Sequence, residues 1–353
     1  MSKKLYGPAP DQVPTNADLG TMAYQDYDAF IDGNVVSRPN LVVNGDFQVW
    51  QRSDNAYTGG NGYISVDRIK STRGRIRKPN TNGNSGEDDR GCVLDCTDGS
   101  VFVHFDMFLE DKDQSLSGKK AVMSFEAKSA GASAEPGGWG LYIDDAGYTG
   151  FGGLDIGTSR SFTVVPTEWR KVVLYGTITY DGSGEYFRLP RWYVNPTGSS
   201  STRMLQIDKL KVEIIESATD KPTPFVRRTY AEELRDCKRY YQQIGRDNVY
   251  EGRLMGLVNS GGTGIFQWQL ETEMRAEPDV TVYGSNTAGG NFVFDTGEGT
   301  NSGNKTSLSF DGGNSKGKMF NVASFPSATQ GSPCWCDMGT DSNHIGFTFN
   351  ADY

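Results

Sequence analysis

Short strand-like segments, each bounded by turn residues, recur along most of this 353-residue chain and constrain its fold more than any other feature. Between 40 and 227, and again between 246 and 353, runs rich in Val, Ile, Phe, Tyr and Thr are separated by Gly, Asn, Ser or Pro. The segment VFVHFD at 101–106 alternates with the period of two expected of a strand. This spacing is typical of antiparallel sheets packed as sandwiches.

The predicted fold is all-β, with four consecutive parts. Residues 1–38 form an extended N-terminal arm, and 39–227 form a jelly-roll β-sandwich. One connecting helix occupies 228–245, and a second, smaller β-sandwich occupies 246–353.

Composition excludes several classes of protein. The chain has 35 Lys and Arg against 44 Asp and Glu, a formal net charge of -9, which disfavours nucleic-acid binding. No apolar run has the length of a membrane-spanning helix, so no membrane insertion is expected. The opening MSKKLYGPAPDQ lacks the apolar core of a signal peptide, and the five cysteines lack Cys-x-x-Cys spacing. We therefore expect synthesis in a cytoplasm, with reduced thiols.

Residues 1–38 are rich in Pro and Gly and have too few apolar residues for a core of their own. Such a segment is either a disordered tail or an arm that becomes ordered on a partner. We favour the arm, because its apolar and aromatic residues cluster. The residues predicted to make this attachment are Leu19, Met22, Tyr24 and Phe30.

The segment TYAEELRDCKRYYQQIG at 229–245 predicts the one helix. Thr229 and Glu232 have the spacing of a capping box, and Gly245 marks the end. Apolar residues spaced 4, 3, 4 and 3 apart form one stripe: Tyr230, Leu234, Cys237, Tyr241 and Ile244. The stripe is either an oligomer contact or a face that packs against its own sandwich.

The sequence lacks the motifs of the common catalytic sites. There is no H-E-x-x-H pair, Walker loop or G-x-G-x-x-G turn, and the G-x-S-x-G pattern at 313–317 lies between strand-like segments instead of leading into a helix. Paired carboxylates of a glycosidase cannot be identified from spacing alone, because their separation is spatial. We expect no enzyme activity.

Two groups of residues are candidates for ligand contact. Flat rings cover the apolar face of a sugar, and the candidate rings are Trp139, Tyr142, Trp192 and Tyr193, which are otherwise core or rim residues. If the basic stretch 68–78 is one strand, alternation puts Arg73, Arg75 and Arg77 on one face. There they would contact anionic sugars or, alternatively, protect a sheet edge.

Two acids near strand ends, Asp46 and Asp208, are candidate ligands for a structural calcium ion, since calcium prefers hard oxygen ligands. No other cofactor is expected.

Several segments resemble bacteriophage tail-fibre and other virion appendage proteins with carbohydrate-binding-like jelly rolls. NLVVNGDFQVWQR at 40–52 and NGYISVDRIK at 61–70 are similar to the opening strands, with Ile69 where Trp is common. MLQIDKLKVEIIES at 204–217 looks like the closing strand, and PFVRRTYAEELRDCKRYYQQ at 224–243 like the stretch that ends the domain. VPTNADLGTMAYQD at 13–26 looks like a junction sequence upstream of distal modules.

The resemblance implies a virion location, a homotrimer and a structural role. The expected protein is a tail fibre or receptor-binding protein, attached to a phage tail or capsid protein by its arm and to host surface polysaccharide by its β domains. The terminal sandwich would be the receptor-binding tip. Alternatives are a capsid-attached head fibre or decoration protein and, less in keeping with the sequence, a polysaccharide depolymerase.

Overall fold

The computed structural model describes most of the chain from residue 37 onward. The described residues are 37–52, 63, 65–73, 75–80, 88–95, 103–129, 139–144, 152–156, 160–164, 168–180, 186–189, 191–195, 204–244, 253–260, 262–283, 292–296, 308–322, 330–338 and 346–352. The predicted attachment residues Leu19, Met22, Tyr24 and Phe30 lie outside them. Within the described part, no helix is both long and apolar enough to cross a membrane.

The all-β fold class is confirmed. Within the described residues, thirteen strands precede the helix and nine follow it. Those before it are β1 Lys70–Arg73, β2 Arg75–Arg77, β3 Cys92–Asp95, β4 Val103–Asp106, β5 Phe108–Glu110, β6 Lys120–Ser129, β7 Trp139–Asp144, β8 Gly152–Asp155, β9 Arg160–Val164, β10 Arg170–Thr179, β11 Tyr186–Arg188, β12 Arg191–Asn195 and β13 Met204–Ile215. They form sheet A, ordered β1-β4-β12-β7-β9, and sheet B, ordered β2-β3-β13-β6-β10-β8-β11-β5. Pairing is antiparallel except between β8 and β11.

The helix, which we call α1, spans Tyr230–Cys237 and is followed by nine strands. These are β14 Tyr241–Ile244, β15 Arg253–Val258, β16 Gly264–Gln269, β17 Asp279–Tyr283, β18 Phe292–Thr296, β19 Leu308–Asn314, β20 Gly317–Val322, β21 Pro333–Met338 and β22 Gly346–Asn350. Sheet C has the order β14-β22-β17, and sheet D has the order β18-β21-β15-β16-β20-β19.

The long central strands of sheet B carry the main core. One face of β6 buries Met123, Phe125 and Ala127, and the neighbouring strand β10 adds Val172 and Leu174. Each buried side chain of this size stabilises the fold by about 1.5–3 kcal/mol. The alternation visible in the sequence of these strands is therefore the alternation between the face that contacts this core and the opposite face of the sheet.

The outer face of sheet B carries an unusual row of buried polar residues on β13. Lys211 and Glu213 are almost fully buried and form an ion pair of 2.7 Å. Lys211 also donates to Ser37 at 2.8 Å and to the carbonyl of Pro224 at 3.1 Å. Ser37 and the segment around Thr223 and Pro224 therefore lie over this face and are tied to it by hydrogen bonds.

The start of the packed chain lies within the predicted arm. Ser37 donates its hydroxyl to the carbonyl of Pro224 at 2.9 Å, and the backbone N–H of Arg38 donates to Thr223 at 3.1 Å. The guanidinium of Arg38 pairs with Glu213 at 3.1 Å. Residues 37 and 38 thus pack on sheet B rather than extend away from it.

Candidate functional site: the junction of the two β regions

Asn44 lies at the centre of a buried network that joins distant parts of the chain. Its Nδ2 donates to the carbonyls of Val49 at 3.0 Å and Asp67 at 3.1 Å, and its Oδ1 accepts from the N–H of Val49 at 3.0 Å. Its backbone N–H donates to Glu233 of α1 at 2.7 Å. The backbone has φ 62, a left-handed conformation that Asn tolerates better than most residues.

The pair Asn44 and Gly45 forms a turn, but the flanking residues are not paired as strands. The turn covers 43–46, and residues 41–42 and 47–50 have no ladder pairing. The N–H of Leu210 donates to the carbonyl of Gly45 at 2.7 Å. A Cβ at Gly45 would overlap the carbonyl oxygen of Leu210, so glycine is required there.

Asp67 links the second segment to the first. Its carboxylate accepts from the N–H of Gln51 at 2.6 Å and from the guanidinium of Arg52 at 3.2 Å. Burial raises the pKa of Asp67 to about 6, and the nearby Arg52 opposes part of this rise.

Asp352, near the C-terminus, is bound by two arginines of the first β region. It accepts from Arg52 and, at 3.2 Å, from Arg68. All three side chains are more than nine-tenths buried. The guanidinium carbon of Arg68 lies 3.5 Å from the ring centre of Tyr240, and that of Arg52 lies 4.0 Å from that of Tyr241. These contacts connect the jelly roll to sheet C.

The predicted helix starts as expected but is shorter. The capping box of Thr229 and Glu232 is present, whereas the helix ends at Cys237 instead of reaching Gly245. The prediction of a helix through 244 is wrong, because Tyr241 and Ile244 belong to β14. There they pair with 347–350 of β22, which supplies backbone hydrogen bonds that a longer helix would forgo.

The predicted oligomer stripe is therefore not a helical face. Cys237 is fully buried within its own chain, whereas Tyr230 is 53% exposed. Of the remaining stripe residues, Leu234 is half-buried on α1, and Tyr241 and Ile244 lie on a strand. Glu233 and Cys237 face the chain itself, so α1 packs against its own β structure, the second of the two alternatives.

The two acids predicted to bind calcium do come together, but around arginine. Arg227 lies 3.9 Å from a carboxylate oxygen of Asp46 and 3.5 Å from one of Asp208, and Arg90 lies 3.4 Å from the same oxygen of Asp208. We call Asp46 and Asp208 the bridged pair. Each of these two carboxylates has one buried oxygen with no hydrogen-bond partner. Burial raises the pKa of Asp208.

These residues fit arginine better than calcium. Calcium takes six to eight oxygen ligands, and the described residues contain no group of three or more His, Cys, Asp or Glu that could hold a metal ion. The guanidinium groups already supply positive charge at the bridged pair.

A groove of about 380 Å³ opens beside the bridged pair. Its lining includes Trp50 and three cationic side chains, Lys78, Arg90 and Arg227. Trp50 is fixed by a hydrogen bond of 2.6 Å from its indole N–H to the carbonyl of Phe47. We call this the cationic groove.

The prediction that Arg73, Arg75 and Arg77 lie on one face of a single strand is wrong. The basic stretch is divided between two sheets, with Arg73 ending β1 of sheet A and Arg75 beginning β2 of sheet B. Arg77 is fully buried, and one of its N–H groups donates to the carbonyl of Lys78 at 3.2 Å. Arg77 is consequently unavailable for a surface contact.

The candidate aromatics lie on sheet A, on two rows of its backbone register. Tyr142 pairs with Tyr193, whereas Trp192 pairs with Ile143, the next position along. Trp139 stands an even number of residues from Ile143 and shares its parity. In the backbone register, Tyr142 and Tyr193 therefore share one row, and Trp139 and Trp192 share the other. Their ligand role stays a prediction.

Sequence reasoning missed the junction residues, notably Asn44, Arg52, Asp67, Arg68 and Asp352. Asn44 precedes a glycine, and Asp67 and Arg68 are adjacent, which are local signals. Their partners are up to 300 residues away, as for Arg52 and Asp352, and no local pattern identifies such a pair.

No protein-family model matches the sequence, and no curated protein is similar to it. Among solved structures, the enzymatically active domain of bacteriophage CBA120 tailspike protein 4 matches with a TM-score of 0.28 and 15% identity, over 50% of this chain and 21% of that one. This chain therefore spans about a fifth of that tailspike domain.

Two carbohydrate-binding modules show comparable likeness. A CBM4 structure matches at TM-score 0.26 and 13% identity, over 49% of this chain and 98% of that one. The tandem CBM22 modules of Paenibacillus barcinonensis Xyn10C match with a TM-score of 0.28 and 11% identity, over 91% of this chain and 99% of that one. TM-scores this low transfer no function.

Proposed function

We propose that this chain is a structural, non-catalytic subunit of a bacteriophage appendage, a tail fibre or receptor-binding protein. It attaches to the particle through residues 1–36 and to host surface polysaccharide through its β regions. The observation that carries the proposal is that the segments on which the resemblance rests, 40–52, 61–70, 204–217 and 224–243, meet in one buried junction.

The junction gives these four segments one shared structural role. Asn44 binds the first, second and fourth segments together, and Gly45 joins the first to the third through Leu210. Residues that must satisfy each other inside a buried polar network tolerate little change. Strands and loops elsewhere need only preserve their alternation.

The charge pattern of the junction supports a structural role. Asp67 is paired with Arg52, Asp352 with two arginines, and the bridged pair with Arg227. Carboxylates paired with arginine in this way connect parts of the chain, whereas the paired carboxylates of a glycosidase flank the bond that they cleave.

For the glycan, the described residues offer the cationic groove. Its three cationic side chains outnumber the two carboxylates in its lining, Asp46 and Asp89, and suit a sugar that carries carboxylate or phosphate groups. A single shallow site of this kind binds weakly, and a homotrimer displayed in several copies would gain by effective concentration. We therefore expect an acidic surface polysaccharide as the receptor.

A glycan array of bacterial surface polysaccharides tests the glycan part of the proposal, with the bound glycans then sized by gel filtration. We expect binding to acidic glycans without shortening. Lys78→Glu should weaken binding at least tenfold, and Lys119→Glu, which makes the same charge change at an exposed position outside the groove, should not. Shortened glycan would overturn the non-catalytic assignment. Absence of any binding would favour a head-fibre or decoration role instead.

A further inference from the structure

Sheet D has two unlike faces. On one face Val258, Phe266 and Cys334 are buried at 2%, 0% and 1% exposure. On the other face Met255 and Leu257 are 74% and 59% exposed, although both are apolar. Strands covered on only one side normally place polar residues on the other.

The exposed apolar side chains are contiguous. Met255 and Leu257 are two residues apart on β15, and Leu257 lies directly opposite Ile265 of β16. Two residues further along β16, Gln267 lies opposite Met319 of β20. Directly opposed residues of an antiparallel pair share a face. We call the strip formed by Met255, Leu257, Ile265 and Met319 the sheet-D patch.

The patch stands out from the rest of the described surface. Seven large hydrophobic residues are exposed in the described part of the chain, and four of them form the patch. The other three are separate from it: Tyr175 on β10, Val226 and Tyr230. Single exposed apolar residues are ordinary, but a contiguous strip on a soluble protein marks an interaction surface.

The charge around the patch indicates which partner it fits. Gln267, Gln269 and Pro333 on this face are uncharged. The same rows of the backbone register also contain residues of both charges, with Arg253 opposite Asp337 and Asp295 opposite Trp335, and Lys316 pairs with Glu273 at 3.6 Å. This face therefore combines an apolar strip with charges of both signs, which suits a copy of itself.

The net charge of the chain disfavours association of two copies through other parts of the surface. The net charge of -9 makes two copies repel each other wherever acidic surfaces meet. An apolar strip with charges of both signs around it meets less of that repulsion, because opposite charges of two copies can face each other. We propose that the sheet-D patch is the surface through which copies of this chain associate.

This contact takes the place of the helix as the oligomer surface. The helical stripe is interrupted after Cys237, which is buried in its own chain, whereas the patch is open. The inference adds a surface to the proposed oligomer and holds whether or not the chain belongs to a virion.

Sedimentation velocity of the full chain, from about 1 to 100 µM, tests the proposal. We expect the wild type to sediment as a multimer and Leu257→Lys to weaken association at least tenfold. Val226→Lys, which places the same charge on a residue that is 63% exposed outside the patch, should associate like the wild type. Circular dichroism checks that the variants are folded, and Met255→Lys provides a second variant at the most exposed position.

A wild type that is monomeric at 100 µM, or a folded Leu257→Lys that associates as well as wild type, would overturn the proposal. Equal weakening by Val226→Lys would overturn it too, because the effect would then come from added charge alone. The glycan array is independent of this experiment, so a monomer that binds glycan would refute the patch contact and leave the proposed glycan binding standing.

Discussion

Removing the Asn44 side chain should be among the most destabilising changes that a single residue of the junction can undergo. Asn44→Ala deletes three side-chain hydrogen bonds, to the N–H and C=O of Val49 and the C=O of Asp67. At about 1 kcal/mol each, their loss costs about 3 kcal/mol. Alanine at φ 62 adds about 1 kcal/mol of backbone strain. The free energy of unfolding should therefore fall by about 4 kcal/mol.

Two control variants separate these contributions. Asn44→Gly loses the same hydrogen bonds, but glycine adopts a left-handed backbone without strain. It should therefore lower the free energy of unfolding by about 1 kcal/mol less than alanine does. Asn80 also has a left-handed backbone, φ 60, but is exposed. Asn80→Ala should therefore cost only about 1 kcal/mol, mainly from backbone strain.

Urea unfolding, followed by tryptophan fluorescence and far-ultraviolet circular dichroism, measures these differences. If the slope of the unfolding free energy against urea concentration is unchanged, the shift in the midpoint gives the change in stability. The conclusion that the side-chain hydrogen bonds of Asn44 stabilise the junction would be refuted if Asn44→Ala were no more destabilising than Asn80→Ala. The assignment of strain would be refuted if glycine were worse than alanine at position 44.

Three further predictions concern neighbouring residues. The folded-state pKa of Asp67, about 6, lies above its usual value near 4, so protonated Asp67 favours the folded state. Its contribution, on the order of 3 kcal/mol, is present below about pH 4 and lost as the pH rises through 6. Asp67→Asn should flatten unfolding free energy against pH over that window, and an unchanged profile would contradict the burial argument. Gly45→Ala should cost about 1–3 kcal/mol in urea unfolding because its Cβ overlaps the Leu210 carbonyl; a neutral effect would show that the close approach is absent. For the bridged pair, a chelator should leave the melting temperature unchanged. Arg227→Gln should lower the free energy of unfolding by about 1 kcal/mol or less, since Arg227 is half exposed. Stabilisation by added calcium would contradict the conclusion that arginine neutralises these two acids.

Local patterns predicted the elements that local physics determines. The strands β6 and β10 follow from alternation, and the start of α1 follows from the capping box of Thr229 and Glu232. The end of α1 was missed, because residues after Cys237 gain more from pairing with β22 than from another helical turn. That pairing joins 241–244 to 347–350, which is beyond any sequence window.

The junction could not be predicted for the same reason. The Asn-Gly turn was visible in the sequence, but its role depends on Glu233, 189 residues away. The sequence predicted Asp46 and Asp208 as calcium ligands, and only the fold shows that Arg227 lies beside both. Alternation within the basic stretch failed because Arg73 ends a strand of sheet A and Arg75 begins a strand of sheet B.

The most direct test of the account is to determine whether this chain is part of an intact phage particle. Quantitative mass spectrometry of purified particles should detect it in several copies per particle, and a chain lacking residues 1–36 should be missing from particles while still folded and soluble. Absence of the full chain from purified particles, with its recovery only from the lysate, would contradict the proposed role.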